Sequence, residues 1–137
     1  MSTGLLHLHH YLPFLFFIVL LISIVRTCPL NKTPNTKKDI FLTLTLIFAH
    51  LQLAIGVVLF IPLATVVDWG VVMGNSDVRF TLIEHPLTML VAVVLITVGK
   101  VKAKKEEDNT KANKTIFWYF TVAFILIVLR TPWDKLF

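Results

Sequence analysis

Five histidines are the chemically capable residues of this chain: His7, His9, His10, His50 and His85. Imidazole is the commonest protein ligand for transition metals and a ready carrier of protons. Two imidazoles facing each other inside a membrane are the usual axial pair of a b-type haem. The other catalytic signatures are missing from the sequence. There is no Cys-x-x-Cys pair, no His-Glu-x-x-His, no Gly-rich phosphate loop and no nucleophile elbow. Hydrolytic and nucleotide chemistry have no support, and the single Cys28 rules out an internal disulfide.

The elements that position these histidines are four long apolar runs, Leu5–Val25, Ile40–Leu63, Phe80–Gly99 and Thr115–Leu129. A helix needs about 20 apolar residues to cross a bilayer, with about 17 as a lower limit. The fourth run is the shortest and reaches that span by extending past Arg130 toward Trp133. With 137 residues and 56% hydrophobic content, the chain fits neither a soluble domain nor a disordered one. The expected fold is all-α: a polytopic membrane protein forming one antiparallel four-transmembrane-helix bundle, with helices near 5–25, 40–63, 80–99 and 115–131.

Net charge is +5. Its distribution points to topology and not to nucleic acid. Arg26, Lys32, Lys37, Lys38, Lys100, Lys102, Lys104, Lys105, Lys111 and Lys114 flank one side of the membrane, ten of the thirteen basic residues. Arg79, Arg130 and Lys135 flank the other. Positive charge stays cytoplasmic, so the 26–39 and 100–114 loops are expected inside, with both termini and the 64–79 loop outside. No basic residue precedes Arg26, so the first run reads as a retained anchor and not as a cleavable signal. The triplets Asn31–Thr33 and Asn113–Thr115 match a glycosylation acceptor but fall on the cytoplasmic side. The basic and acidic stretch KVKAKKEEDNTKANK reads as a solvated extension of the third and fourth helices. Cys28 reads as a small residue at the cytoplasmic interface, and Trp69 as an interface anchor.

Depth orders the histidines. At about 1.5 Å per residue, His9, His10 and His85 lie roughly 7 Å from the outer helix ends. His50 lies roughly 15 Å from the inner end, near the midplane. His85 with His9 or His10 is therefore the first expected ligand pair. His50 follows as an alternative ligand or the ligand of a second site. His50, Ala54 and Val57 share one face, and His85, Met89 and Ala92 another. Ala49, Ala54, Gly56 and Ala92 leave room beside the histidines for a flat macrocycle. Pro13 cannot donate to the carbonyl of His9, nor Pro86 to that of Leu82, so both helices are expected to bend near the candidate ligands. Arg79 and Arg130 stand at outer helix ends, placed for haem propionates or for lipid headgroups. Gln52 and Glu84 are alternative hydrogen-bond partners for His50 and His85 in a purely structural network. Glu84 itself is expected at the interface.

Four segments carry a resemblance: HLHHYLPF around His9, FAHLQLAIGVVLF in the second helix, RFTLIEHPLTMLVAVVLITVGK in the third, and the short closing helix. Together they resemble the small four-helix bacterial membrane proteins usually catalogued as cytochrome b. The resemblance implies haem b, held by His9, His50 and His85 with Gln52, Glu84 and Met89 beside them. It also implies electron transfer in the bacterial inner membrane, with a quinone or a neighbouring respiratory subunit as partner. One departure stands out. The pattern has an Arg and an aromatic four and five places after the first histidine, where this chain has Pro13 and Phe14.

Two other readings fit the residues. One is a non-enzymatic accessory subunit of a larger membrane complex, or a homo-oligomer, packing its apolar faces against partners. The other is a proton or metal conduit through His50, Gln52, Glu84 and His85, which the apolar fourth helix does little to support.

Overall fold

The computed structural model describes residues 3–29 and 39–133. The first loop with Lys32, Pro34, Lys37 and Lys38, the Asn31–Thr33 triplet, and Lys135 lie outside the described residues.

Helix α1 runs Thr3–Thr27, α2 Ile40–Val66, α3 Trp69–Gly74 and α4 Ser76–Arg79. A single π turn, Phe80–Glu84, joins α4 to α5, His85–Lys105, and α6 closes the chain at Asn109–Arg130. Four segments are long and apolar enough to span a membrane: Gly4–Thr27, Ile40–Val66, Ser76–Lys105 and Asn109–Arg130. The protein is an all-α, four-span membrane protein with its long helices packed antiparallel. In cross-section they close a ring, α1 against α2, α2 against α5, α5 against α6 and α6 against α1.

Short polar side chains set the helix starts. An N-cap oxygen satisfies backbone N–H groups that have no intrahelical acceptor. Asp39 accepts from Phe41 N at 3.0 Å to open α2, and Asp108 from Thr110 N at 2.9 Å to open α6. The Asp108 cap explains why the fourth span begins at Asn109, well before the apolar run at Thr115, and is 22 residues long. The charged 100–114 stretch is mostly helical, broken only at residues 106–108. The segment expected as a plain outer loop instead holds two short helices. Asp68 caps α3 through Gly70 N at 2.9 Å, and Asn75 caps α4 through Asp77 N at 3.0 Å.

The ring buries Leu20, Leu42, Ala92, Ile96, Ile116 and Phe120 completely. Large apolar side chains such as Ile18, Val25, Ile47, Val58, Val94 and Ile125 point outward on all four long helices. In water that surface would be a severe liability; against lipid tails it costs nothing, and association of the helices relies on packing and hydrogen bonds. Both appear. A Cβ added at Gly99 would lie 2.6 Å from Tyr119 Cβ, so α5 and α6 touch closely there. Ser23 Oγ and Thr45 Oγ1 share a buried hydrogen bond of 2.9 Å between α1 and α2. One turn farther, Arg26 Nε pairs with the buried Asp39 carboxylate at 2.7 Å, its guanidinium 5.2 Å over the Phe41 ring. Cys28, half-buried, carries a free thiol.

Candidate functional site

At the end of the bundle that holds the start of α1, two prolines each leave a carbonyl without its helical donor. Within α1, Pro13 has no N–H for the His9 carbonyl. Gln52 of α2 fills the gap: its Nε2 donates to His9 O at 2.9 Å. The other hydrogen of the same nitrogen faces His9 Nδ1 at 3.0 Å. A buried carbonyl in lipid needs such a donor, because no water is present to replace it. Gln52 thus holds His9 by backbone and ring together. The imidazole lies over Gly56, where an added Cβ would meet His9 Cε1 at 3.3 Å.

Pro86 acts differently. The chain inserts one residue as a π turn, and His85 N–H donates to Phe80 O. Single π turns re-aim the side chains that follow and concentrate at functional sites. Here the residue re-aimed is His85. Its Nδ1–H donates to Arg130 O at 2.7 Å, across to the end of α6.

That contact completes a set. The last four carbonyls of any helix lack intrahelical donors. In α6, Thr131 Oγ1 donates to Ile127 O, Trp133 Nε1 to Val128 O at 3.0 Å, Arg130 to Leu129 O at 3.2 Å, and His85 to Arg130 O. Trp133 also stacks on Phe17 of α1, with ring centroids 5.6 Å apart. The end of α6 is therefore tied to α5 through His85 and to α1 through Trp133.

These constraints bring His9 and His85 together. Their ring centroids are 6.4 Å apart with planes at 86°. A metal ion between two imidazoles, with bonds of about 2 Å each, separates the rings by roughly that much. Because the Arg130 carbonyl can only accept, the neutral His85 ring carries its proton on Nδ1 and its lone pair on Nε2. This is the arrangement of metal-ligating histidines, whose second nitrogen is usually fixed by a carbonyl or carboxylate.

The remaining candidates fall elsewhere. His10 is half-buried on α1, turned away from the His9 direction. His7 is exposed and stacks on Tyr11 at 6.3 Å. His50 is exposed on α2, its Nδ1–H donating to Leu46 O at 2.8 Å and its Nε2 lying 3.4 Å from Thr97 Oγ1 of α5. Gln52 and His50 are two residues apart, hence about 200° apart around the helix. Facing, and not depth, separates His50 from the His9–His85 pair. Among the described residues, His9, His50 and His85 do not gather into a three-ligand metal cluster.

Arg79 donates to Met73 O at 2.9 Å and lies 3.9 Å from Glu84. Arg130 donates to Leu129 O. Glu84 thus partners Arg79, and Gln52 partners His9; the structural network expected around His50 and His85 is built from Leu46, Thr97 and Arg130 instead. Met89 packs against the apolar core. The role of Gln52 toward His9 was accessible from the sequence, since Pro13 announces a stranded carbonyl. The role of Arg130 O, a backbone atom, left no trace in residue types.

No family model, no curated protein and no solved structure matches this chain.

Proposed function

We propose that the His9–His85 pair is the axial ligand set of one b-type haem, and that the protein carries electrons within the membrane. The approach of two imidazoles from α1 and α5 to 6.4 Å carries this reading. Three further features agree with it. His85 presents an Nε2 lone pair because its Nδ1–H is held by Arg130 O. Gly56 lets the His9 ring lie close against α2, where an added Cβ would press on Cε1 at 3.3 Å. Gln52 Oε1 is buried without a hydrogen-bond partner.

That last atom answers a specific need. As oriented, Gln52 donates to His9 Nδ1, which puts the His9 proton on Nε2. Ligation requires the other tautomer. A small rotation of the His9 ring would turn Nδ1–H from Gln52 Nε2 to the unpartnered Oε1, while Gln52 Nε2 keeps its bond to the His9 carbonyl. Arg79 and Arg130, at the same end of the bundle, supply cations for the carboxylates of the bound group. Each commits one guanidinium nitrogen to a backbone carbonyl and has further N–H groups to offer.

When bound, haem iron supplies a one-electron redox change at a buried site. The chain's own part is to fix both rings and to keep water from the iron through apolar packing of four helices. The proposed setting is the bacterial inner membrane, with the termini and the histidine end outside the cytoplasm, as the lysine distribution favours.

Substitution separates the ligands from the bystander. His9→Ala and His85→Ala, purified folded after expression with haem available, should each lose the low-spin Soret band, while His50→Leu keeps it. Full haem retention in His85→Ala would remove the proposal.

A further inference from the structure

At the end of the bundle away from the His9–His85 pair, cations gather beside a lipid-facing seam. The 3.4 Å approach of Thr97 Oγ1 to His50 Nε2 shows which face of α5 lies along α2. Lys100 follows Thr97 by three residues and Lys104 by seven, so both continue that face toward the end of α5. They stand about 5 Å and about 10 Å beyond Thr97, and their long stems carry the ammonium groups farther out. Lys102 does not share the face. Its ammonium lies 5.5 Å over the Tyr119 ring of α6.

One buried carboxylate serves this corner. Asp39 takes Arg26 Nε on one oxygen at 2.7 Å and Phe41 N on the other at 3.0 Å. Lys100 lies within electrostatic range of both Asp39 and Lys104. Arg26, Lys100 and Lys104 thus share a single negative charge. The acidic residues after α5 serve its turn into α6: Glu106 accepts from Asp108 N at 3.3 Å, and Asp108 from Thr110 N at 2.9 Å. Among the described residues, Lys104 forms no ion pair.

The surface beside the lysines narrows the anion that completes the corner. Around the ring, α2 and α5 are the least closely packed neighbours. Ile47 of α2 and Val94 and Val101 of α5 are exposed along their seam. A dissolved phosphate has no use for that apolar strip, and a neutral lipid has no use for the charge excess. Cations are costly at membrane depth unless paired. An anionic phospholipid brings a phosphate to the ammonium groups and an acyl chain to the seam in one molecule.

We infer that the α2–α5 seam binds an anionic phospholipid, its phosphodiester between Lys100 and Lys104 and one acyl chain along Ile47, Val101 and Val94. The inference is independent of the haem reading.

The test is native mass spectrometry of the full-length protein released from detergent, titrated with dioleoyl phosphatidylglycerol or dioleoyl phosphatidylcholine. Wild type should bind the first phosphatidylglycerol about tenfold more tightly than phosphatidylcholine. Lys104→Gln, at an exposed position, and Lys100→Gln should each weaken the phosphatidylglycerol complex about fivefold. Lys102→Gln removes the same charge from another face and should change it by less than about twofold. Glycerophosphoglycerol, the headgroup without chains, should not displace the lipid. Equal affinity of wild type for the two lipids overturns the inference. So do equal losses in folded Lys104→Gln and Lys102→Gln, which would mean diffuse attraction to charge. Displacement by the free headgroup overturns it as well, leaving a phosphate site that makes no use of the seam.

Discussion

Gln52 donates to the His9 carbonyl that Pro13 strands one turn along α1. A helix-breaking residue in one span is thus repaired by a side chain from the next, and the repair also fixes the orientation of a candidate ligand. Replacing Gln52 with Leu should destabilise the protein by about 1–3 kcal/mol, the cost of a buried backbone acceptor left alone. Restoring the missing donor with Pro13→Ala should make the same Gln52→Leu change much milder. Thermal unfolding of the four proteins in detergent measures the coupling. Equal costs in both backgrounds would show that the carbonyl is not what Gln52 serves.

Gly99 should tolerate nothing larger. Its absent Cβ would collide with Tyr119 Cβ at 2.6 Å. Gly99→Ala should lower stability by about 1–3 kcal/mol through forced separation of α5 and α6. Tyr119→Ala should not rescue it, because alanine keeps the colliding atom. Unfolding curves of the single and double variants decide the point; full rescue by Tyr119→Ala would mean that the phenol ring sets the helix spacing.

The Ser23–Thr45 pair tests a different asymmetry. Removing one buried hydroxyl leaves its partner seeking a new acceptor or donor, whereas removing both leaves an apolar contact. Ser23→Ala alone should cost about 1 kcal/mol, and Ser23→Ala with Thr45→Val should cost no more than that. An additive double variant would contradict the pairing. The Thr45 hydroxyl also donates to Phe41 O at 2.8 Å in its own helix, which limits the loss.

At the opposite end from the histidines, Asp39 is buried while Arg26 is partly open to solvent. Arg26→Met leaves a carboxylate buried without its cation and should destabilise by about 1–3 kcal/mol. Asp39→Asn keeps the N-cap for Phe41 N and should cost less. A reversed order of the two variants in thermal unfolding would show that the charge of Asp39 serves something other than its pair with Arg26.

The four spans were legible in the sequence because apolar length is a property of composition, and the antiparallel order follows from short connections. Their ends were less so. Asp108 and Asn75 start helices by a side-chain hydrogen bond, and hydropathy carries no sign of it. The depth argument matched His85 with His9 and His10 alike; in the structure the His9 ring lies 6.4 Å from that of His85, and depth carried no sign of which of the two would face it. That argument ranked His50 by depth as well, where the deciding quantity was angle around α2. The partner of His85 was hidden for a plainer reason: a carbonyl oxygen belongs to every residue, and only the end of α6 makes that of Arg130 available.

The central claim is that His9 and His85 hold one haem. A dithionite-reduced minus oxidised visible spectrum of the purified protein, with a pyridine haemochrome assay for stoichiometry, tests it most directly. The account predicts a sharp low-spin b-type signal at one haem per chain. Well-folded protein purified with haem available that shows no such signal would contradict it.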